Sequence, residues 1–506
     1  MKKQEALARL HAIDRDLKHL HQVTAILQWD QETYMPPAAV EGRSEQLALL
    51  EGIVHEKATS SEIGSLLEQL GSTKENPKGD TDLPDIERDF LRVFRKEYDR
   101  AVLLPADLVT EAARAEGLSQ AAWVEARKNN NYKTFMPHLE KMIDYAKKKA
   151  ECWGFSSHPY DGLLDIHEPG MTEEAIDRVF IPLKTRLIQL VQQIGSKKAP
   201  PSDFLTREFP KELQARVGES VMKDLSYDLS QGRLDISAHP FTTTLGPRDV
   251  RITTRYFPTN MLSGLFSIIH ETGHALYEMG FDDEIRDTSL GDGASMGIHE
   301  SQSRLWENVI GRSHAFWKGQ FPLLKQLFPT QLEAVSVDDF YAAVNRVQPS
   351  LIRVDADEVT YSLHVILRFE LERRLFSGTL SVKDLPEAWN GLMQEILGVQ
   401  PDSDANGVLQ DVHWSMGAFG YFPSYALGNL YGLQFWNTLK SNIPDVESHI
   451  EQRNYGPILY WLRKNVHAHG CRYEPADLVL QITGKPLSAE PFINYLEHKY
   501  GQLYSL

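Results

Sequence analysis

Two histidines four residues apart, His270 and His274, can act together only if the chain between them is helical. At 3.6 residues per turn, positions i and i+4 share one face, where two imidazoles can grip one metal ion. The surrounding residues favour that helix. Asn260 is placed to cap its start and Gly280 to end it, while Leu262, Leu265, Phe266 and Ile269 supply a buried stripe. Within His270-Glu271-Thr272-Gly273-His274, Glu271 would stand beside the ion, able to take a proton from a bound water. The plain alternative is a core or solvated helix carrying two ordinary histidines, and a third ligand is what separates the two.

A metal that does chemistry needs three protein ligands and an open position. After the loop 281–297, a second helical segment opens with Ile298-His299-Glu300-Ser301-Gln302-Ser303-Arg304. Adjacent helical residues point about 100° apart, so only one of His299 and Glu300 can face the ion. Glu300 is the expected third ligand, since a glutamate one helix downstream is the arrangement of glutamate-type zincins. These residues predict hydrolysis by a zinc-activated water, with Glu271 as its base.

Most of the remaining chain carries the three-to-four spacing of amphipathic helices, as in Leu7, Leu10, Ile13 and Leu17. Helical patterning is expected over 1–70 and from Ile86 to about Lys149, with a polar loop over 71–85 and a turn at 197–202. Residues 228–257 differ. Arg233–Ser237 and Asp249–Phe257 alternate, and Pro240, Gly246 and Pro247 lie between them, which predicts a small antiparallel sheet with a loop. The fold expected is mainly α with this one sheet.

Charge narrows the partners. With 53 Lys and Arg against 70 Asp and Glu, the net charge is −17, which argues against nucleic acid and anionic membranes. Cys152 and Cys471 are too few for a disulfide framework. No apolar run approaches the roughly 20 residues that span a bilayer, and no signal-peptide pattern opens the sequence. A cytoplasmic protein is expected.

Three further segments are ambiguous as residues alone. Arg353, in a helical run expected after Pro349, has Asp357 at i+4; a surface ion pair is the simpler reading, a cation for a substrate's terminal carboxylate the sharper one. His413 and Tyr421 are either core residues or donors to an oxyanion. His239-Pro240-Phe241 reads first as a turn.

Taken in order, these segments resemble the carboxypeptidase Taq family of zinc metallocarboxypeptidases. The resemblance rests on His239-Pro240-Phe241, Asp249-x-Arg251-x-Thr253, His270–His274, His299-Glu300-Ser301-Gln302, Ile352-Arg353-x-x-Ala356-Asp357 and Gly407-x-x-Gln410-Asp411-x-His413-Trp414. Trp29-Asp30 to Met35-Pro36 and Tyr160-Asp161 to Glu168-Pro169-Gly170 extend it across nearly the whole chain. It implies a neurolysin-like body, two helical lobes around a deep cleft, forming one catalytic unit over 1–506. It also implies a cytoplasmic homodimer that removes C-terminal residues from peptides, with zinc or sometimes cobalt held by His270, His274 and Glu300. Glu271 would be the general base, Arg353 the anchor of the substrate carboxylate, and His413 and Tyr421 the groups at the scissile carbonyl. His239, Arg251 and Gln410 would line the substrate site. An oligopeptidase or dipeptidyl carboxypeptidase on the same scaffold is the nearest alternative, and a non-catalytic zinc-stabilised peptide binder a more distant one.

Overall fold

Apolar side chains recurring every three to four residues demand helices that bury one face, and helices supply nearly all the regular structure of the computed structural model, which describes residues 3–506. Four N-terminal helices, Lys3–Thr33, Val40–Ala58, Ser61–Gln69 and Asp85–Leu103, enclose 71–84 as turns. They share a core of their own around Leu10, Leu67 and Phe90, which Ile285 and Leu290 join from beyond the histidine motif. A much larger core runs from Ala112 to Tyr504. Cys152 and Cys471 are both free thiols. Among the described residues, no helix is long and apolar enough to cross a membrane.

The sheet is mixed, not wholly antiparallel as expected. Strands β1 (Leu234–Ile236), β2 (Thr242–Gly246) and β3 (Asp249–Thr254) lie in the order β1-β3-β2. The threonine run Thr242–Thr244 within the expected loop is itself a strand, antiparallel to β3, because β-branched residues fit a pleated surface. That inserted strand reverses the chain once more, so β1 meets β3 in parallel.

The motif helix runs Met261–Glu278, and Asn260 caps it as expected, accepting the Ser263 N–H through Oδ1 at 3.2 Å. Beside it lies Met296–Arg304, which continues into a wider π-helical turn, Leu305–Ile310. These helices cross where Gly273 has no side chain: a Cβ there would sit 2.7 Å from the Ser303 Cα. On the other side, helix Phe422–Asn442 comes in at Gly428, where a Cβ would lie 2.5 Å from that of Glu300. Close approach at both glycines sets the Glu300 helix between its neighbours.

The helical run expected after Pro349 does not form. Arg353–Asp355 is a single 3₁₀ turn, and the helix begins only at Tyr361. Asp357 explains the delay, because its Oδ1 accepts the N–H groups of Val359 and Thr360, each at 3.0 Å. A side chain that caps a later start competes with helix through its own position.

Candidate active site

His270, His274 and Glu300 converge with one ligand atom each, all within 4.8 Å of one another. The Nε2 atoms of His270 and His274 each lie 3.9 Å from a Glu300 carboxylate oxygen. Bonds of about 2.0–2.2 Å in a tetrahedral site put donors about 3.3–3.6 Å apart, so the histidine–glutamate contacts need to close by a few tenths of an ångström and the widest separation of the set by about an ångström. The chemistry of the donors fits a divalent cation as well. A ligating imidazole must offer a bare nitrogen, and both histidines commit the opposite nitrogen elsewhere. The Nδ1 of His270 lies 2.8 Å from Glu307 Oε2, and that of His274 lies 2.5 Å from His299 Nδ1. His299 in turn reaches Glu278 Oε1 through Nε2 at 2.7 Å. With His274 donating to His299 and His299 donating to Glu278, the Nε2 of His274 is left bare. His299 therefore stands behind His274, and Glu300 is the residue that converges with the two imidazoles.

Burial raises the Glu271 pKa above the usual carboxylate range, and the side chain is only 8 % exposed. Thr242 on β2 donates its hydroxyl to Glu271 Oε2 at 2.6 Å, which fixes the carboxylate from the sheet side. Glu307 is also buried, yet Arg304 and then His270 hold it down to about 2, so it remains an ionised partner for the His270 ring. Sequence inspection missed both Thr242 and Glu307. Glu307 was findable, since it lies seven residues, close to two turns, beyond Glu300.

A second group is linked to this one through Tyr361 and through Arg304, whose Nε lies 3.4 Å from Glu300 Oε2. Arg353 is buried, 5 % exposed, and its partner is Asp411 rather than Asp357. Its Nε and Nη2 donate to Asp411 Oδ1 at 3.1 and 2.9 Å, and its Nη1 donates to the Tyr361 hydroxyl at 3.0 Å. The fully buried Arg368 donates through Nε to Asp411 Oδ2 at 2.6 Å. Burial would raise the Asp411 pKa, but the two guanidiniums drive it far below the carboxylate range. Two cations thus share one anion. Gln410 serves the same turn: its Oε1 accepts the Arg353 N–H at 2.9 Å, and its amide donates to the Leu351 and Asn406 carbonyls.

His413 opens a 3₁₀ turn, His413–Met416, and Tyr421 immediately precedes helix Phe422–Asn442. Their rings lie 5.6 Å apart, and His413 Nε2 is 3.3 Å from the Tyr425 hydroxyl. Burial lowers the His413 pKa to about 4 and raises that of Tyr421, so the imidazole is neutral and the phenol protonated at neutral pH. The charges of Glu300 and Arg353 act on Tyr421 in opposite directions, the first raising its pKa and the second lowering it. Tyr361 joins the two groups, as the Arg304 guanidinium stacks 4.2 Å over its ring.

Two expected residues stand apart. His239 is exposed in the turn between β1 and β2. Arg251 places its fork on Asp249 and its plane 4.3 Å over the Trp29 ring, tying the sheet to the N-terminal helix. His167 carries no signal in the sequence, and its ring packs edge-on against Tyr421 at 5.1 Å.

Known proteins with the same architecture are enzymes. The model of the carboxypeptidase Taq (M32) metallopeptidases matches residues 9–500. The chain is 42 % identical to thermostable carboxypeptidase 1 of Thermus thermophilus over the full length of both. It is 40 % identical to carboxypeptidase 1 of Bacillus subtilis, covering 97 % of each. The crystal structure of the M32 carboxypeptidase from Deinococcus radiodurans R1 superposes with a TM-score of 0.96 at 40 % identity, covering 99 % of this chain and 100 % of that one. Fold, sequence and the converging histidine and glutamate side chains agree: this chain belongs to the carboxypeptidase Taq (M32) family and is a metallocarboxypeptidase.

Proposed function

We propose that the enzyme removes single C-terminal residues from peptides of varied sequence, using a zinc-bound water with Glu271 as general base. The observation that carries the reading is the cation left in excess where Arg353 and Arg368 share Asp411. A buried net positive charge beside the metal group suits a terminal carboxylate, which a guanidinium binds with directed hydrogen bonds. An aminopeptidase would need the opposite charge there.

His270, His274 and Glu300 would hold zinc, or cobalt in its place, and the bound ion would supply a water of pKa near 7 and a charge to polarise the scissile carbonyl. Glu271, fixed by Thr242, takes the water's proton and later passes it to the leaving amine. Tyr421 and His413 donate hydrogen bonds to the carbonyl oxygen as negative charge develops on it. Arg353 holds the terminal carboxylate, and Gln410 acts through Arg353 by holding its backbone. His239 and Arg251 would meet the substrate only at the margin of the site. The same reading takes residues 1–506 as one catalytic unit of two lobes around a cleft, acting as a cytoplasmic homodimer.

A peptide and its C-terminally amidated form test the assignment by mass spectrometry. Single residues released from the free acid alone are expected, with turnover lost on chelation and restored by zinc or cobalt. Arg353→Met should lower kcat/KM for the free acid by about a hundredfold or more, as loss of a charge-assisted pair predicts. Release of dipeptides, or equal cleavage of the amide, would assign an oligopeptidase or dipeptidyl carboxypeptidase instead.

A further inference from the structure

Glu372 lies one turn from the end of helix Tyr361–Phe376, fully buried, and has no part in the reaction described above. It is nevertheless hydrogen-bonded on both oxygens. Oε1 accepts the Trp414 Nε1–H at 2.7 Å, and Oε2 accepts the Gly420 N–H at 2.9 Å and the Tyr160 hydroxyl at 2.6 Å. Trp414 directly follows His413, and Gly420 directly precedes Tyr421. One carboxyl group therefore grips both ends of the segment that carries the two carbonyl-facing side chains.

That segment needs such a grip. Its backbone is irregular, with left-handed residues at Gly417 (φ 71°) and Gly420 (φ 79°), so no helical ladder fixes the spacing of His413 and Tyr421. At Gly420 a Cβ would also come within 2.8 Å of the Leu163 carbonyl, so the backbone there packs directly on helix Pro159–His167.

We propose that Glu372 is a positioning residue, holding His413 and Tyr421 at the spacing at which both reach the scissile carbonyl. This rests on the reading of those two residues given above. The chemistry requires a group that accepts on both oxygens. An amide offers one accepting oxygen and one donating nitrogen, so Gln at 372 must face either the Trp414 N–H or the Gly420 N–H with a donor of its own. Asp keeps both acceptors on a shorter stem.

Steady-state kinetics of the zinc enzyme test this. Glu372→Gln is expected to lower kcat ten- to a hundredfold, with KM within about twofold and zinc content unchanged, as misplacement of a group near the chemistry predicts. Glu372→Asp should recover part of the loss. If Glu372→Gln does not fold, Trp414→Phe and Tyr160→Phe decide. Each removes one hydrogen bond from Glu372 and should cost similar thermal stability, but only Trp414 lies on the segment. A drop in kcat for Trp414→Phe but not for Tyr160→Phe supports positioning, while equal effects on kcat mean a structural role only and overturn it. Tyr421→Phe separates this from the underlying reading. Should that variant keep full kcat, the role of Tyr421 is wrong. Should it lose kcat while Glu372→Gln and Trp414→Phe do not, positioning alone is wrong. In the double variant Tyr421→Phe with Glu372→Gln, the losses should combine to much less than their product, and a full product would also overturn the proposal.

Discussion

The metal-facing and carbonyl-facing sides of the site are built by opposite means. His270, His274 and Glu300 sit on two neighbouring helices, and helical periodicity aims them at one point, with Glu307 behind His270 on the turn that follows. Arg353, His413 and Tyr421 sit on 3₁₀ turns and at a helix start, where the backbone repeats nothing. Their placement comes from buried carboxyl groups: Asp411 for Arg353, and Glu372 for the segment between His413 and Tyr421. A regular element positions its residues through local hydrogen bonds, whereas an irregular one borrows fixed points from elsewhere in the core. Substitutions on the two sides should therefore fail in different ways.

The largest difference is expected at Glu271. Glu271→Gln keeps the shape and the Thr242 contact but removes the base, so kcat should fall by about three orders of magnitude or more with bound zinc retained. Near-normal turnover would remove Glu271 from the mechanism and with it the division of labour between the two sides. Next comes Glu307, the partner of His270. Glu307→Gln should weaken zinc binding by about ten- to a hundredfold, measured by competition with a chelator, because it loosens the ring that ligates. At saturating zinc its kcat should stay close to that of the parent enzyme. A kcat defect that zinc does not repair would show that the metal side, too, is positioned for more than binding.

The same contrast explains what was legible in the sequence. Spacing identifies the metal side, because an i, i+4 pair of histidines and a glutamate on the next helix carry a geometric meaning through helical periodicity alone. Even Glu307 carries a signal of that kind. On the carbonyl side, spacing misleads: Arg353 and Asp357 at i+4 suggest a helical pair, yet Asp357 caps a later helix and Arg353 turns inward to Asp411, far along the chain. Arg353, His413 and Tyr421 are picked out only by resemblance to a family. Glu372 and His167 have no local signature at all, since each acts through residues distant in sequence. The sheet shows a milder failure. Two of its three strands were legible, but a threonine run inside the expected Pro- and Gly-containing loop formed the third and reversed the pairing.

The smallest expected effect concerns stability and its sign. Burial pushes Glu372 up to about 7 from an ordinary 4.5, despite three hydrogen bonds and the charge of Arg368. A carboxyl whose folded pKa lies above its unfolded one stabilises fully below the unfolded value, and that contribution is lost as pH rises through about 7. The loss is about 2–3 kcal/mol between pH 5 and pH 8 at 1.36 kcal/mol per unit. Glu372→Gln has nothing to titrate there, so its stability deficit in urea should be larger at pH 5 than at pH 8. Asp411 behaves oppositely. Its pKa is depressed, its contribution is complete above the ordinary carboxylate range, and the deficit of Asp411→Asn should not change over this window. A Glu372→Gln deficit that grows with pH would mean that the ionised carboxylate is a net gain in the core. In that case the two buried anchors of the carbonyl side, Asp411 and Glu372, would both work as charges, and cations would hold the first while N–H and O–H groups hold the second.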